Sequence, residues 1–173
     1  VKICLDETKR LSSLITNVLK LNKLENQQTV FERERFSLDD LLAQCVLTFE
    51  ENFNNKQIEL DCDLTEMQVY SSKTALEIVF TNLLSNALKF TMNGGKISVL
   101  LKKQGQTAVV QVKDTGIGIS KEVGERIFDK FYQGDTSRAT MGNGLGLPLV
   151  KRVVDMLNGK IEVNSVLGEG STF

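Results

Sequence analysis

The sequence contains no histidine, so none of its chemistry uses imidazole as nucleophile, general base or metal ligand. It also lacks an excess of charge of either sign. Its 21 basic residues stand against 22 acidic ones, and there is no basic tract of the kind that tracks nucleic acid. No apolar run approaches the ~18 residues that a membrane span needs, and no signal peptide opens the chain. Cysteine is scarce: Cys4, Cys45 and Cys62 are odd in number, far apart and in no metal-binding spacing. That usage points to a reducing, cytosolic setting. Low-complexity segments and internal repeats are missing as well.

What is present suffices for one domain and some extra: 173 residues, of which 41% are apolar. Val1 is no natural start and Phe173 falls in mid-strand, so the sequence reads as a piece of a longer protein.

The most informative stretch is Asn82-Leu83-Leu84-Ser85-Asn86-Ala87-Leu88-Lys89-Phe90-Thr91. It lies in an apolar-periodic run from about Lys73 to Met92 that predicts a helix. Leu76, Val79, Phe80, Leu83, Leu84, Ala87 and Leu88 fall on one broad arc. Asn82, Asn86 and Lys89 cluster within roughly 60° of one another at ~100° per residue. Two carboxamides and an ammonium at this spacing suit a metal-bound polyphosphate: an amide oxygen can ligate Mg²⁺ and the ammonium can neutralise phosphate charge. The same trio also suits the solvated face of an amphipathic helix.

Residues 2–25 predict a helix with a partly heptad-like apolar stripe, which calls for a partner helix, the alternative being packing on the chain's own domain. Residues 29–36 alternate as an edge strand. Ser37-Leu38-Asp39-Asp40 reads as a capping box opening a helix over 38–53. Strands follow at 57–62, with Ile58, Leu60 and Cys62 on one face, and at 67–70. Ser72 caps the central helix, and Asn93-Gly94-Gly95 ends it. Residues 96–103 and 107–113 form a hairpin around Gly105. A short helix is placed near 121–127 and another over 147–157, with Pro148 in its first turn. Strands at 160–165 and 171–173 close the sequence. Because the β segments come mostly as hairpins, the pattern predicts an α+β two-layer sandwich, a mixed sheet with helices on one face, preceded by one long helix.

Two glycine clusters follow the central helix. Asp114-x-Gly116-x-Gly118 sits at a strand end, where glycines admit close backbone approach and a carboxylate can accept from an exocyclic amine such as that of adenine. The alternative is a tight strand-to-helix turn. Gly142-Asn143-Gly144-Leu145-Gly146 runs into a helix, whose free N–H groups make an anion site. A flexible loop with an N-terminal cap would look the same. The loose stretch 132–146 containing it has the length of a binding lid. Neither a P-loop nor a Rossmann fingerprint is present, since Lys121 occupies the third glycine position after Gly116 and Gly118.

Taken in order, NLLSNALKFT, DTGIGIS, FDKF, GNGLGLPLV and GEGSTF resemble the N, G1, F, G2 and final G boxes of sensor histidine kinases. The ATP-binding domain of that family has the Bergerat fold and is shared with DNA gyrase, the ninety-kilodalton heat-shock chaperone and MutL. The match covers residues 30–173. Residues 2–25 look like the second helix of the family's dimerisation and histidine-phosphotransfer hairpin. The implied organisation is a partial hairpin at 1–28 and a C-terminally truncated ATP-binding catalytic domain at 29–173.

The resemblance implies ATP and Mg²⁺ as cofactors. Asn86 would ligate Mg²⁺ and Lys89 would contact phosphate. Asp114 would accept from the adenine amine, with Gly116, Gly118 and Ile119 shaping the pocket. Phe128 and Phe131 would anchor the start of the lid, where ordinary core aromatics are the alternative. Gly142, Gly144, Leu145, Gly146 and Leu147 would wrap the phosphates, with Arg138 as a candidate γ-phosphate contact, a free surface arginine being the alternative. Thr172 would sit behind the adenine near Asp114.

Asn82 stands where hydrolytic relatives carry a glutamate. An amide is a poor base, so the site should hold ATP and pass its γ-phosphoryl to a histidine that this chain does not contain. The intact protein would be a homodimer, attached to a membrane, with a response regulator receiver domain downstream and no nucleic-acid partner. The alternatives are a degenerate nucleotide-binding signalling module and a hydrolytic ATPase of the gyrase or chaperone type.

Overall fold

The computed structural model describes residues 12, 15–19, 22, 31–132 and 144–173. Residues 12, 15–19 and 22 are helical, in line with the helix predicted over 2–25, the rest of which lies outside the described residues. Val18 packs against the domain core, while Ile15 and Leu19 are exposed.

The domain begins with β1 (Glu34–Ser37), α1 (Leu38–Leu47) and α2 (Glu50–Asn55). It continues through β2 (Glu59–Leu64), β3 (Gln68–Ser71) and the long α3 (Lys73–Phe90). The hairpin β4 (Lys96–Gln104) and β5 (Thr107–Asp114) leads to a short α4 (Lys121–Gly124), α5 (Gly146–Met156), β6 (Asn164–Val166) and β7 (Gly170–Thr172). Five strands form one mixed sheet in the order β2-β4-β5-β7-β6, with β2 parallel to β4 and the other pairs antiparallel. β1 and β3 pair separately. The helices lie on one face: α3 packs on β5 with α1 and α5 beside it. Alternate residues Ile97, Val99, Leu101 and Val112 point into this layer and are buried against Val79, Phe80, Leu83, Leu84, Leu149, Val150 and Val153. The predicted two-layer α+β sandwich is therefore the observed architecture.

Local chemistry explains most element ends. Ser72 Oγ accepts from Ala75 N and starts α3. Gly105, at φ +60°, takes the first of two loop positions between the paired Gln104 and Thr107. That is the backbone a type II′ hairpin turn requires.

Two expectations need correction. The predicted helix 38–53 is two helices. Thr48 Oγ1 bonds back to Cys45 O at 2.6 Å and the backbone turns at Phe49, breaking the ladder. Ser37 does cap α1 through Asp40 N, but no capping box closes. Asp39 instead accepts from Ser37 Oγ at 2.7 Å and from Met67 N at 2.9 Å, tying the helix start to the approach of β3. Leu60 and Cys62 do share one face, opposite Ile97 and Val99, and both are exposed on β2, the edge of the sheet.

The C-terminus of α3 is held by a residue with no motif signal. Lys56 Nζ donates to Leu88 O at 2.7 Å and Thr91 O at 2.9 Å, with Lys89 O at 3.4 Å. An ammonium there satisfies carbonyls the helix leaves open and opposes its dipole. Lys56→Met should lower the free energy of unfolding by about 2 kcal/mol, the scale of hydrogen bonds to a charged group, as read by urea titration. An unchanged midpoint would mean water replaces the ammonium without cost.

Candidate functional site

α3 carries the polar wall. Asn82, Asn86 and Lys89 are all half-buried on it. Asn82 Nδ2 donates to Ile78 O at 2.7 Å, one turn back. Its Oδ1 then faces the start of α5, where a Cβ on Gly146 would stand 3.0 Å from it. Gly146 thus lets α5 begin directly against α3. The carboxamide of Asn86 makes no hydrogen bond to another described residue. Lys89 Nζ lies 4.5 Å from the centre of the Phe90 ring.

α5 presents its N-terminus to this wall. Its N-cap residue Leu145 supplies no side-chain hydrogen bond, and Pro148 has no N–H. The free donors of the first turn are therefore the backbone groups of Gly146 and Leu147. The Leu145 side chain is 1% exposed and belongs to the core, so any ligand contact from Leu145 is made by its backbone; Leu147 also packs against the core.

The other end of the site is the tip of β5. Asp114 is 5% exposed, and its carboxylate accepts from Gly116 N at 2.8 Å. Burial pushes its carboxyl pKa up, while the backbone of Gly116 and, to a lesser degree, of Ser171 pulls it down. The turn after Asp114 is jammed against α3. Ile117 N donates to Phe90 O at 3.3 Å, and a Cβ on Gly116 would meet that carbonyl at 2.5 Å. On the far side, Gly118 (φ +68°) lies against the backbone of Val166 and Leu167, leaving no room for a side chain. Ile119 N donates to Ser165 Oγ at 2.8 Å.

Arg138 and Gly142, predicted from the sequence as phosphate contacts, lie outside the described residues. Phe131 N donates to Gly144 O at 3.0 Å. Phe131 takes φ +61°, and Gly144 (φ +63°) has no space for a Cβ beside it. The side chain of Phe131 is 62% exposed. Phe128 is half-buried.

One predicted position shifts. Thr172 pairs with Lys113, on the opposite face of β7 from the carboxylate; the residue across from Asp114 is Ser171, which is 7% exposed. The two neighbours alternate faces because side chains in a strand have period two. Ser171, together with Ser165, is what the sequence reading missed. Only the β5–β7 register reveals them.

A buried carboxylate beside tight glycines, and a helix face of amides and an ammonium with Asn82 against the start of α5, are features of an ATP-binding α+β domain. The family model described as Histidine kinase-, DNA gyrase B-, and HSP90-like ATPase matches residues 71–173, and the chain belongs to that family. It is 37% identical to the sensor histidine kinase RppB of Synechocystis sp. over 95% of this chain and 37% of RppB. It is 34% identical to the sensor-like histidine kinase SenX3 of Mycolicibacterium smegmatis over 96% of this chain and 44% of SenX3. The chain thus spans less than half the length of these relatives. Among solved structures it superposes on ShkA in complex with AMPPNP with TM-score 0.86 and 26% identity, covering 99% of this chain and 36% of that one. Its likeness to ThkA in complex with the response regulator TrrA has TM-score 0.79 and 25% identity, covering 100% and 48%.

The buried Asp114 carboxylate makes a sign-definite prediction. Its folded pKa is raised above the ordinary 3.8, so between that value and the folded pKa the native state binds more protons than the unfolded one, and stability falls as pH rises through the window. Ligand-free Asp114→Asn should therefore melt higher than the parent at neutral pH. The gain should vanish as pH falls towards 3.8, by thermal melting across pH. A gain independent of pH would refute the assignment.

Proposed function

We propose that the chain is the ATP-binding catalytic core of a sensor histidine kinase, passing the γ-phosphoryl of ATP to a histidine elsewhere in the intact protein. The observation that carries this reading is Asn82. Its carboxamide is bonded to Ile78 O and aimed at the start of α5, where a residue activating water would need a basic group. With no histidine in the chain, the acceptor has to come from outside it.

In this reading adenine lies against Asp114 and Gly116, with Gly118 and Ile119 behind it, and Ser171 faces the carboxylate. The phosphates reach Lys89 and the N–H groups of Gly146 and Leu147, with Gly142, Gly144, Leu145 and Arg138 contributing from the lid. Asn86 would hold Mg²⁺. No group of three or more histidine, cysteine, aspartate or glutamate residues suited to a metal occurs among the described residues, and an uncommitted amide oxygen fits an ion that takes few protein ligands and several phosphate oxygens. When bound, the ion supplies neutralisation of phosphate charge. The chain's own residues position the nucleotide and keep a basic group away from the γ-phosphate.

Residues 1–28 then form part of a dimerisation hairpin and 29–173 the catalytic domain. The exposed Ile15 and Leu19 are consistent with a homodimer of the intact protein. The complex of ThkA with TrrA supports a response regulator as the downstream partner.

The test supplies a separate polypeptide carrying the acceptor hairpin, together with labelled ATP. Acid-labile phosphate should appear on its histidine. Asn86→Ala should reduce transfer by about a hundredfold or more, the scale of losing one electrostatic contact to a transferring group. Rapid ATP turnover by the chain alone, without transfer, would instead favour the hydrolytic reading.

A further inference from the structure

We propose that Ser165 fixes the hydrogen-bond polarity of the wall beside Asp114, and through it selects the purine the site accepts. The inference rests on the reading of Asp114 as the acceptor for an exocyclic amine.

Ser165 lies on β6, half-buried, where three pieces of chain converge. Its hydroxyl has three partners within 2.9 Å: Ile119 N at 2.8 Å, Gly170 O at 2.8 Å and Ser171 Oγ at 2.9 Å. A hydroxyl offers one proton and two lone pairs. The Ile119 N–H fills one lone pair. The proton goes to the Gly170 carbonyl. One lone pair remains, so the contact with Ser171 is a hydrogen bond only if Ser171 is the donor. The single proton of Ser171 is therefore directed at Ser165.

Ser171 stands across the β5–β7 register from Asp114, on the same face. Side chains in that relation are near enough to interact. A serine free to rotate beside a buried carboxylate would donate to it and fill a lone pair that a ligand amine needs. With its proton held by Ser165, Ser171 offers only lone pairs on this side. Asp114 and Ser171 then form a wall of acceptors. Such a wall takes the amine of adenine and repels the carbonyl oxygen that guanine carries at the same ring position. Sites built to pair a ligand N–H reject analogues that lack it.

The arrangement has little freedom to rearrange. Gly170 sits at φ +122° with its α-carbon packed on the backbone of Asp114 and Thr115, which fixes the carbonyl that takes the Ser165 proton. Gly168 N donates to Ile117 O at 2.8 Å, tying the same hairpin to the glycine turn.

The experiment is competition of ATP and GTP against a fluorescent ATP analogue, on the chain and its variants. Ser165→Ala frees the Ser171 proton, so ATP should weaken, GTP should improve, and the ATP-to-GTP affinity ratio should fall roughly tenfold, the scale of one hydrogen bond. Ser165→Thr keeps the hydroxyl and should retain the parent ratio. In the double variant Ser165→Ala with Ser171→Ala the misdirected proton is gone, and the ratio should return to that of Ser171→Ala alone. If Ser165→Ala does not fold, as judged by melting, Ser165→Cys has the same shape with a weak hydrogen-bonding group and carries the comparison. Equal weakening of both nucleotides at constant ratio would make Ser165 purely structural and overturn the proposal. Asp114→Ala separates the two levels. A ratio unmoved by Asp114→Ala sinks the reading of Asp114 itself, whereas a ratio that collapses there but not in Ser165→Ala sinks only the role of Ser165.

Discussion

The carbonyl of Phe90 is the joint between the two ends of the site. It ends the helix that carries Asn82, Asn86 and Lys89, and it accepts from Ile117 in the turn that follows Asp114. Gly116 lies so close to it that any side chain would push the two apart. Lys56 holds the neighbouring carbonyls of Leu88, Lys89 and Thr91, so the helix end does not fray at the point where it must be fixed. A ligand spanning from a buried carboxylate to the ammonium in the last turn of α3 needs that spacing fixed before it arrives. The core of the domain, with α3 packed on β5, holds the joint in place.

Around this joint the polar groups are arranged with restraint. The wall of α3 offers amides and one cation, and the first turn of α5 offers backbone donors. The one deeply buried carboxylate among the described residues lies at the opposite end, under the tip of β5. Burying Asp114 costs stability when it ionises, and the cost is set against what the carboxylate does for a ligand amine. Asn82 illustrates the same economy. Its amide is satisfied by its own helix, so it can approach α5 closely without bringing a charge or a base to the phosphate end.

Much of this was legible in the sequence for identifiable reasons. The 3.6-residue period of Val79, Phe80, Leu83, Leu84 and Ala87 announced α3, and the strict alternation around Gly105 announced the hairpin. Both are local patterns, each buried on the face its period predicts. The break at Thr48 was not legible, because a hydroxyl folding back on its helix competes with the ladder only by a narrow margin. Nor was the exposure of Leu60 and Cys62: alternation marks a face of a strand and says nothing of whether a helix covers it. The choice between Thr172 and its neighbour depended on pairing with a strand far away in the chain.

The sequence by itself determined the elements and the chemical inventory: an amide-and-ammonium helix face, a carboxylate before glycines, and no imidazole and no carboxylate at position 82. These follow from residue types and short-range periodicity, which need no knowledge of distant contacts. Only the tertiary structure decided which groups share the site. Lys56 reaches the end of α3, Ser171 faces Asp114, and Ser165 takes the Ser171 proton because strand register and helix packing bring together residues that nothing in their local sequence connects. Hydrogen-bond direction is a property of that three-dimensional neighbourhood, since a hydroxyl donates or accepts according to the partners around it.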